Sequence, residues 1–157
     1  MRNFSRCAAA IAACTALAVL AGCASQQVKD KAAVEKFKQD VTGQYVSETT
    51  GATLFIVPVR ARMVTDEALY VERHEGAGVM SRIVNIYTDK EGKIRLGALT
   101  FTQEGQWREL RENPELLTAL LPKDVRPAGT CEITPGKDNN AITFSCGGSA
   151  AETFKRL

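Results

Sequence analysis

The chain has 157 residues, with 20 basic residues, 18 acidic residues, one histidine and a formal net charge of +2. That is long enough for one domain with a real core and too short for two ordinary ones. Near-neutrality, with no clustered basic stretch, excludes a nucleic-acid binder of the usual electrostatic kind.

The first element is a leader. Arg2 and Arg6 supply a positive start, residues 8–19 an apolar run, and Ala21-Gly22 the small residues that a signal peptidase requires. The run falls short of the roughly 20 apolar residues of a spanning helix. Leu20-Ala21-Gly22-Cys23 resembles the lipobox of bacterial lipoproteins, which implies removal of residues 1–22 and acylation of Cys23. Two or three acyl chains, at about 0.8 kcal/mol per buried CH₂, tether a domain to a membrane without crossing it. Ala24 and Ser25 follow the cysteine, and no Asp stands at the second position, which in that class implies the outer membrane, facing the periplasm. An ordinary secretory signal with an incidental cysteine is the alternative. Loss of Arg2 and Arg6 leaves the remainder formally neutral.

Residues 23–40 read as the lipidated cysteine, a tether and a short amphipathic helix, with Val34, Phe37 and Val41 at helical spacing. The apolar edge packs on the domain or, alternatively, lies on the membrane. Residues 41–157 form the domain proper. Strands are expected at 44–47, 54–63, 68–74, 82–88 and 94–102, with Asp89-Lys90-Glu91-Gly92 as a hairpin turn. Pro58 lacks a ladder donor and belongs at a bulge or an edge. A short helix is expected at 113–121, capped by Asn113, opened by Pro114, with Leu116, Leu117, Leu120 and Leu121 as its apolar face. Trp107 falls in a loop at 105–110, as a core plug or a contact residue. Strands return at 129–133, 141–146 and 152–154. Many short strands and few helices predict a mainly β, antiparallel meander that closes into a barrel or stays partly open.

Once residues 1–22 are gone, Cys131 and Cys146 are the cysteines left besides Cys23. If they face each other, the hairpin centre lies between Asp138 and Asn139, inside the turn-rich stretch 135–140. Pro135 must then occupy a non-hydrogen-bonded position, and Cys131, four residues earlier, shares that parity. Such pairs have Cα atoms about 4.5 Å apart, a separation a disulfide accepts. In an oxidising compartment the bond would stabilise by roughly 3 kcal/mol in the chain-entropy model. A free nucleophilic or bilin-bearing thiol is the rival reading.

Asp66 to Arg73, then Ser81-Arg82-Ile83, then Leu116 to Leu120 followed by Asp124-Val125 and Gly129-Thr130-Cys131, resembles the CpcT/CpeT family of chromophore lyases; Gly43-Gln44-Tyr45 and Tyr70-Val71-Glu72 match its motifs best. The resemblance implies a lipocalin- or calycin-like antiparallel barrel and the attachment of bilins to cysteines of phycobiliproteins. The strand at 79–82 keeps only the last Arg of the family's Tyr-Arg-Gln-Arg, one residue is inserted in Gly-Cys, and the family's later strands with their Trp-Gly segment do not follow.

The sequence offers little for catalysis. One histidine, His74, builds neither a metal site nor a Ser-His-Asp constellation, and no Gly-rich phosphate loop is present. The candidate ligand-binding set is polar: Arg60 and Arg62 on one face of their strand, Tyr70, Glu72 and His74 on one face of the next, and Arg82 joining from a third. Converging guanidiniums suit a carboxylate-bearing amphipathic ligand, such as a tetrapyrrole with its propionates. Cross-strand ion pairs on a solvent-facing stripe are the alternative, and an envelope protein partner on an exposed strand edge is a third reading.

Overall fold

The computed structural model describes residues 30–157. The expected signal peptide and lipidated Cys23 lie outside the described residues.

Eight antiparallel strands follow one another around a closed up-and-down barrel: β1 (Gly43–Val46), β2 (Thr53–Val59), β3 (Ala68–Glu75), β4 (Gly78–Thr88), β5 (Ile94–Phe101), β6 (Val125–Pro135), β7 (Ala141–Cys146) and β8 (Glu152–Arg156). The barrel is complete with these eight strands, because β8 returns to β1 through the pairs Tyr45↔Arg156 and Val46↔Lys155. Arg156 fastens this short seam. Its Nη1 donates to the Thr42 carbonyl at 2.6 Å, its Nη2 to the Asp40 carbonyl at 2.8 Å and its Nε to the Asn139 carbonyl at 2.8 Å. Its guanidinium also lies 4.9 Å from the centre of the Tyr45 ring. Gly43 leaves room for it, since a Cβ there would stand 2.6 Å from Nη1.

The interior follows from strand alternation. Every strand sends apolar residues into one cluster, among them Tyr45, Leu54, Ile56, Val71, Ile86, Phe144 and Phe154. Small barrels are filled by such side chains. Helix α1 (Lys31–Val41) adds Val34 and Val41 to this cluster, with Phe37 partly buried against it. Its apolar edge is therefore used within the domain. Asp30 caps the helix by accepting from the Ala33 N–H at 3.0 Å.

The hairpin geometry agrees with the parity argument. Cys131 pairs with Cys146, Pro135 with Ile142, and the two cysteines form a disulfide with Cα atoms 4.0 Å apart. Gly92 takes φ +82° in the β4–β5 turn, where Asp89 Oδ1 accepts from the Glu91 and Lys93 N–H groups at 2.9 Å. Pro58 lies past the end of β1, which stops at Gly43↔Ile56, so β2 has a neighbour there on one side only.

Three expectations need correction. Strand β2 ends at Val59 rather than continuing to Met63: residues 61–64 form a turn closed by the Val64 N–H on the Ala61 carbonyl at 2.7 Å. The segment at 113–121 is not an α-helix but a 3₁₀ turn (Pro114–Ala119), and Asn113 makes no side-chain cap. In that geometry residues three apart eclipse, so Leu117 and Leu120 are buried while Leu116 and Leu121 stay 47% and 39% exposed. The α-helix stands one step earlier, as α2 (Trp107–Glu112), where a loop was expected.

Candidate functional site

The outer wall of β2, β3 and β4 is not a solvent face. Register places Phe55 opposite Glu72, Val57 opposite Tyr70, and Tyr70 and Glu72 opposite Ile83 and Ser81. Over this wall lie α2 and the 3₁₀ turn, whose Leu110, Leu117 and Leu120 pack with Tyr70, Ile83 and Phe101 in a second apolar cluster. Strand β3 is consequently buried on both faces from Ala68 to Glu72.

At the centre of this outer layer sits a carboxylate with no exposure at all. Glu72 is 0% accessible. A charge removed from water requires partners, and three side chains provide them. Tyr70 donates its hydroxyl to Oε2 at 2.9 Å. His74 Nε2 hydrogen-bonds Oε1, and since a carboxylate only accepts, that nitrogen carries the ring proton. Arg111 Nη1 of α2 stands 3.6 Å from the same Oε1. Burial first, and then the neighbouring Glu72 charge, push the Tyr70 phenol far above its ordinary value, so its hydroxyl is a fixed donor.

Aromatic rings complete the arrangement. The Arg111 guanidinium lies 4.6 Å from the Phe55 ring centre and 5.2 Å from that of Trp107. Trp107 meets His74 edge to face at 4.6 Å between centroids, and Arg108 stacks on Trp107 at 4.9 Å. Phe55, His74, Trp107 and Arg111 are each partly accessible and Arg108 is exposed. The result is a small aromatic and cationic surface, held from beneath by one buried anion.

The sequence-derived set divides accordingly. Tyr70, Glu72 and His74 do share a face and touch. Arg82 pairs with Val71, on the opposite side of the sheet; it donates to the Ser81 carbonyl at 2.6 Å and forms an ion pair with Glu104, just before α2, whose carbonyl accepts from Ser81 Oγ at 3.1 Å. Arg60 and Arg62 are exposed in the β2–β3 connection, because β2 stops before them. The arginine that completes the cluster is Arg111, which sequence reasoning missed. The signal was present: Trp107, Leu110 and Arg111 stand at i, i+3 and i+4, one face of a helix.

Arg60 does line a surface groove of about 560 Å³ together with Glu35, Lys38, Pro58, Pro114 and Glu115, while a separate groove of about 450 Å³ lies between β5 and β6. Lys38 is committed in the Arg60 groove. Burial acts to lower its pKa, but hydrogen bonds and charges from Glu35 and Glu67, each at 2.8 Å, raise it above the ordinary lysine value.

Among the described residues there is no group of three or more His, Cys, Asp or Glu placed to hold a metal ion, and no helix long and apolar enough to cross a membrane. No protein-family model matches the chain, and neither does any curated protein or solved structure.

Proposed function

We propose that this chain is a non-catalytic component of a bacterial envelope, lipid-anchored through Cys23 and facing the periplasm, that recognises a partner protein on the surface formed by Phe55, His74, Trp107, Arg108 and Arg111. The observation that supports this reading is the stacking of Arg111 between two aromatic rings above the buried Glu72. Trp and Arg dominate the energetics of protein interfaces. The shallow shape also fits a protein partner better than a small ligand, which prefers an enclosed pocket, and the barrel interior is occupied by its own side chains.

The test is site-specific photo-crosslinking in cells. A crosslinker at position 108 is expected to give a discrete adduct that disappears when Trp107→Ala is added, whereas one at Thr143, exposed on β7, gives none. Equal adducts from both positions, or none from either, would overturn the reading.

A second reading, a small amphipathic or anionic ligand, is favoured by Arg60, which lines its groove and has no ion-pair partner among the described residues. The resemblance to chromophore lyases makes a bilin the probe, with its carboxylates as the groups for Arg60. Saturable absorbance changes lost in Arg60→Ala would support ligand binding, and transfer of the bilin to an acceptor cysteine would be needed for a lyase. Absence of binding at micromolar bilin removes both.

A further inference from the structure

We infer that His74 is a proton gate on the Trp107–Arg111 surface: protonating its ring releases the Arg111 guanidinium from Glu72 and makes it available to a carboxylate on the partner. The inference rests on the recognition reading above and specifies how that surface is regulated.

The geometry places two nitrogen groups on one oxygen. Glu72 Oε2 is occupied by the Tyr70 hydroxyl, so His74 Nε2 and Arg111 Nη1 both address Oε1. With a neutral imidazole the local charges are one carboxylate and one guanidinium, and they balance. Because Nε2 already holds a proton, a second one adds at Nδ1. The imidazolium then makes a charge-assisted bond to Glu72, stronger than the neutral one it replaces. It also repels the guanidinium that shares its acceptor.

Arg111 is the member free to leave. At 3.6 Å its Nη1 lies beyond ordinary hydrogen-bond range, and its side chain is 30% exposed. His74, by contrast, sits on the strand two residues from Glu72. Helix α2 need not detach, because Leu110 anchors it in the outer apolar cluster.

No other nearby group takes over either role. On β2 the residue opposite His74 is Thr53, and the ring beside it is Phe55; neither titrates. On β3 the facing groups are Tyr70, whose phenol stays protonated, and Glu72 itself. Arg73 and Glu75 are paired with each other, and Arg73 also with Glu152. On β4 Arg82 is paired with Glu104. From α2 come Arg111 and, across the Trp107 ring, Arg108; Glu109 and Glu112 are exposed on the same helix. Histidine is the side chain whose charge ordinarily changes between pH 5 and 8, and His74 is the only histidine of the chain.

The full chain in detergent micelles, with no partner present, tests the gate. Trp107 is its only tryptophan, so emission reports directly on the ring against His74. Between pH 8 and pH 5.5, Trp107 emission is expected to change with the same midpoint as the His74 imidazole chemical shift. Over the same range the Arg111 Nε order parameter falls from a rigid value to below about 0.6. In His74→Gln, whose amide can still donate to Glu72 but takes no proton, both signals stay flat. If that variant does not fold, the shared midpoint in the unmodified chain still decides. An Arg111 signal that stays rigid at pH 5.5 while tryptophan emission changes would mean direct quenching by the imidazolium and would overturn the gate. So would an Arg111 transition that persists in His74→Gln. Failure here with intact crosslinking from position 108 removes the gate alone, whereas loss of the crosslink with the gate intact removes the recognition reading.

Discussion

Strand β3 has two buried faces that are built in opposite ways. Its inward residues, Leu69 and Val71, join a cluster fed by all eight strands, so their burial is guaranteed by closure of the barrel. Its outward residues, Tyr70 and Glu72, are buried because one short segment, α2 and the 3₁₀ turn behind it, lies across them. The inner face is apolar and needs shape alone. The outer face contains a charge and needs specific partners, some of which reach solvent. A protein can therefore hold a buried polar arrangement on a wall whose other side supplies the stability.

The contrast can be broken most directly from the inside. Phe154 is fully buried and meets Phe144 edge to face at 6.1 Å. Phe154→Ala is expected to cost about 3–5 kcal/mol, measured by urea unfolding, with the whole barrel melting in one transition. A loss below about 1 kcal/mol would mean that the interior is not the cooperative unit. On the outer face Glu72→Ala leaves Tyr70, His74 and Arg111 without their shared acceptor. Because His74 and Arg111 reach water, the expected cost is lower, about 2–3 kcal/mol. A double-mutant cycle with Arg111→Ala sharpens this: coupling below about 0.5 kcal/mol would show that the guanidinium is held by its rings and not by the carboxylate.

The smallest effect concerns the seam, where the inner wall relies on polar ties. Burial works to raise the Glu152 pKa, but hydrogen bonds from Ser47, Thr50 and Arg73, with the Arg73 charge, outweigh it and hold the carboxyl below the ordinary value. A lowered folded pKa contributes stability that is present above the unfolded value of about 4.3 and is lost as pH falls through the folded one. The melting temperature should thus fall more steeply below about pH 4.3 in the parent chain than in Glu152→Gln, with the two converging in acid. Parallel curves would show that Glu152 contributes nothing to closure.

Much of the inner wall was legible beforehand, because strand alternation is a local pattern. Asp89 to Gly92 announced its turn, and the parity of Pro135 with Cys131 placed the disulfide opposite Cys146. Closure was not legible, since it depends on Arg156, at the far end of the chain, reaching the carbonyls of Asp40 and Thr42. Half of the outer site was readable, as alternation alone puts Tyr70, Glu72 and His74 on one face.

The sequence by itself determined the periodicities: eight strand segments, an N-terminal amphipathic helix, and a cysteine pair in register, all of them consequences of residues that are neighbours or near neighbours in the chain. Only the tertiary structure decided which side of each strand became the interior and which arginine joined Glu72. Alternation defines two faces but cannot say what covers either one. Arg60 and Arg62 were nearer in sequence to the strand carrying Glu72, yet the turn after Val59 sends them to solvent. Arg111 is some forty residues away and was brought over Glu72 by burial of Leu110 and Leu117, a contact that no local pattern encodes.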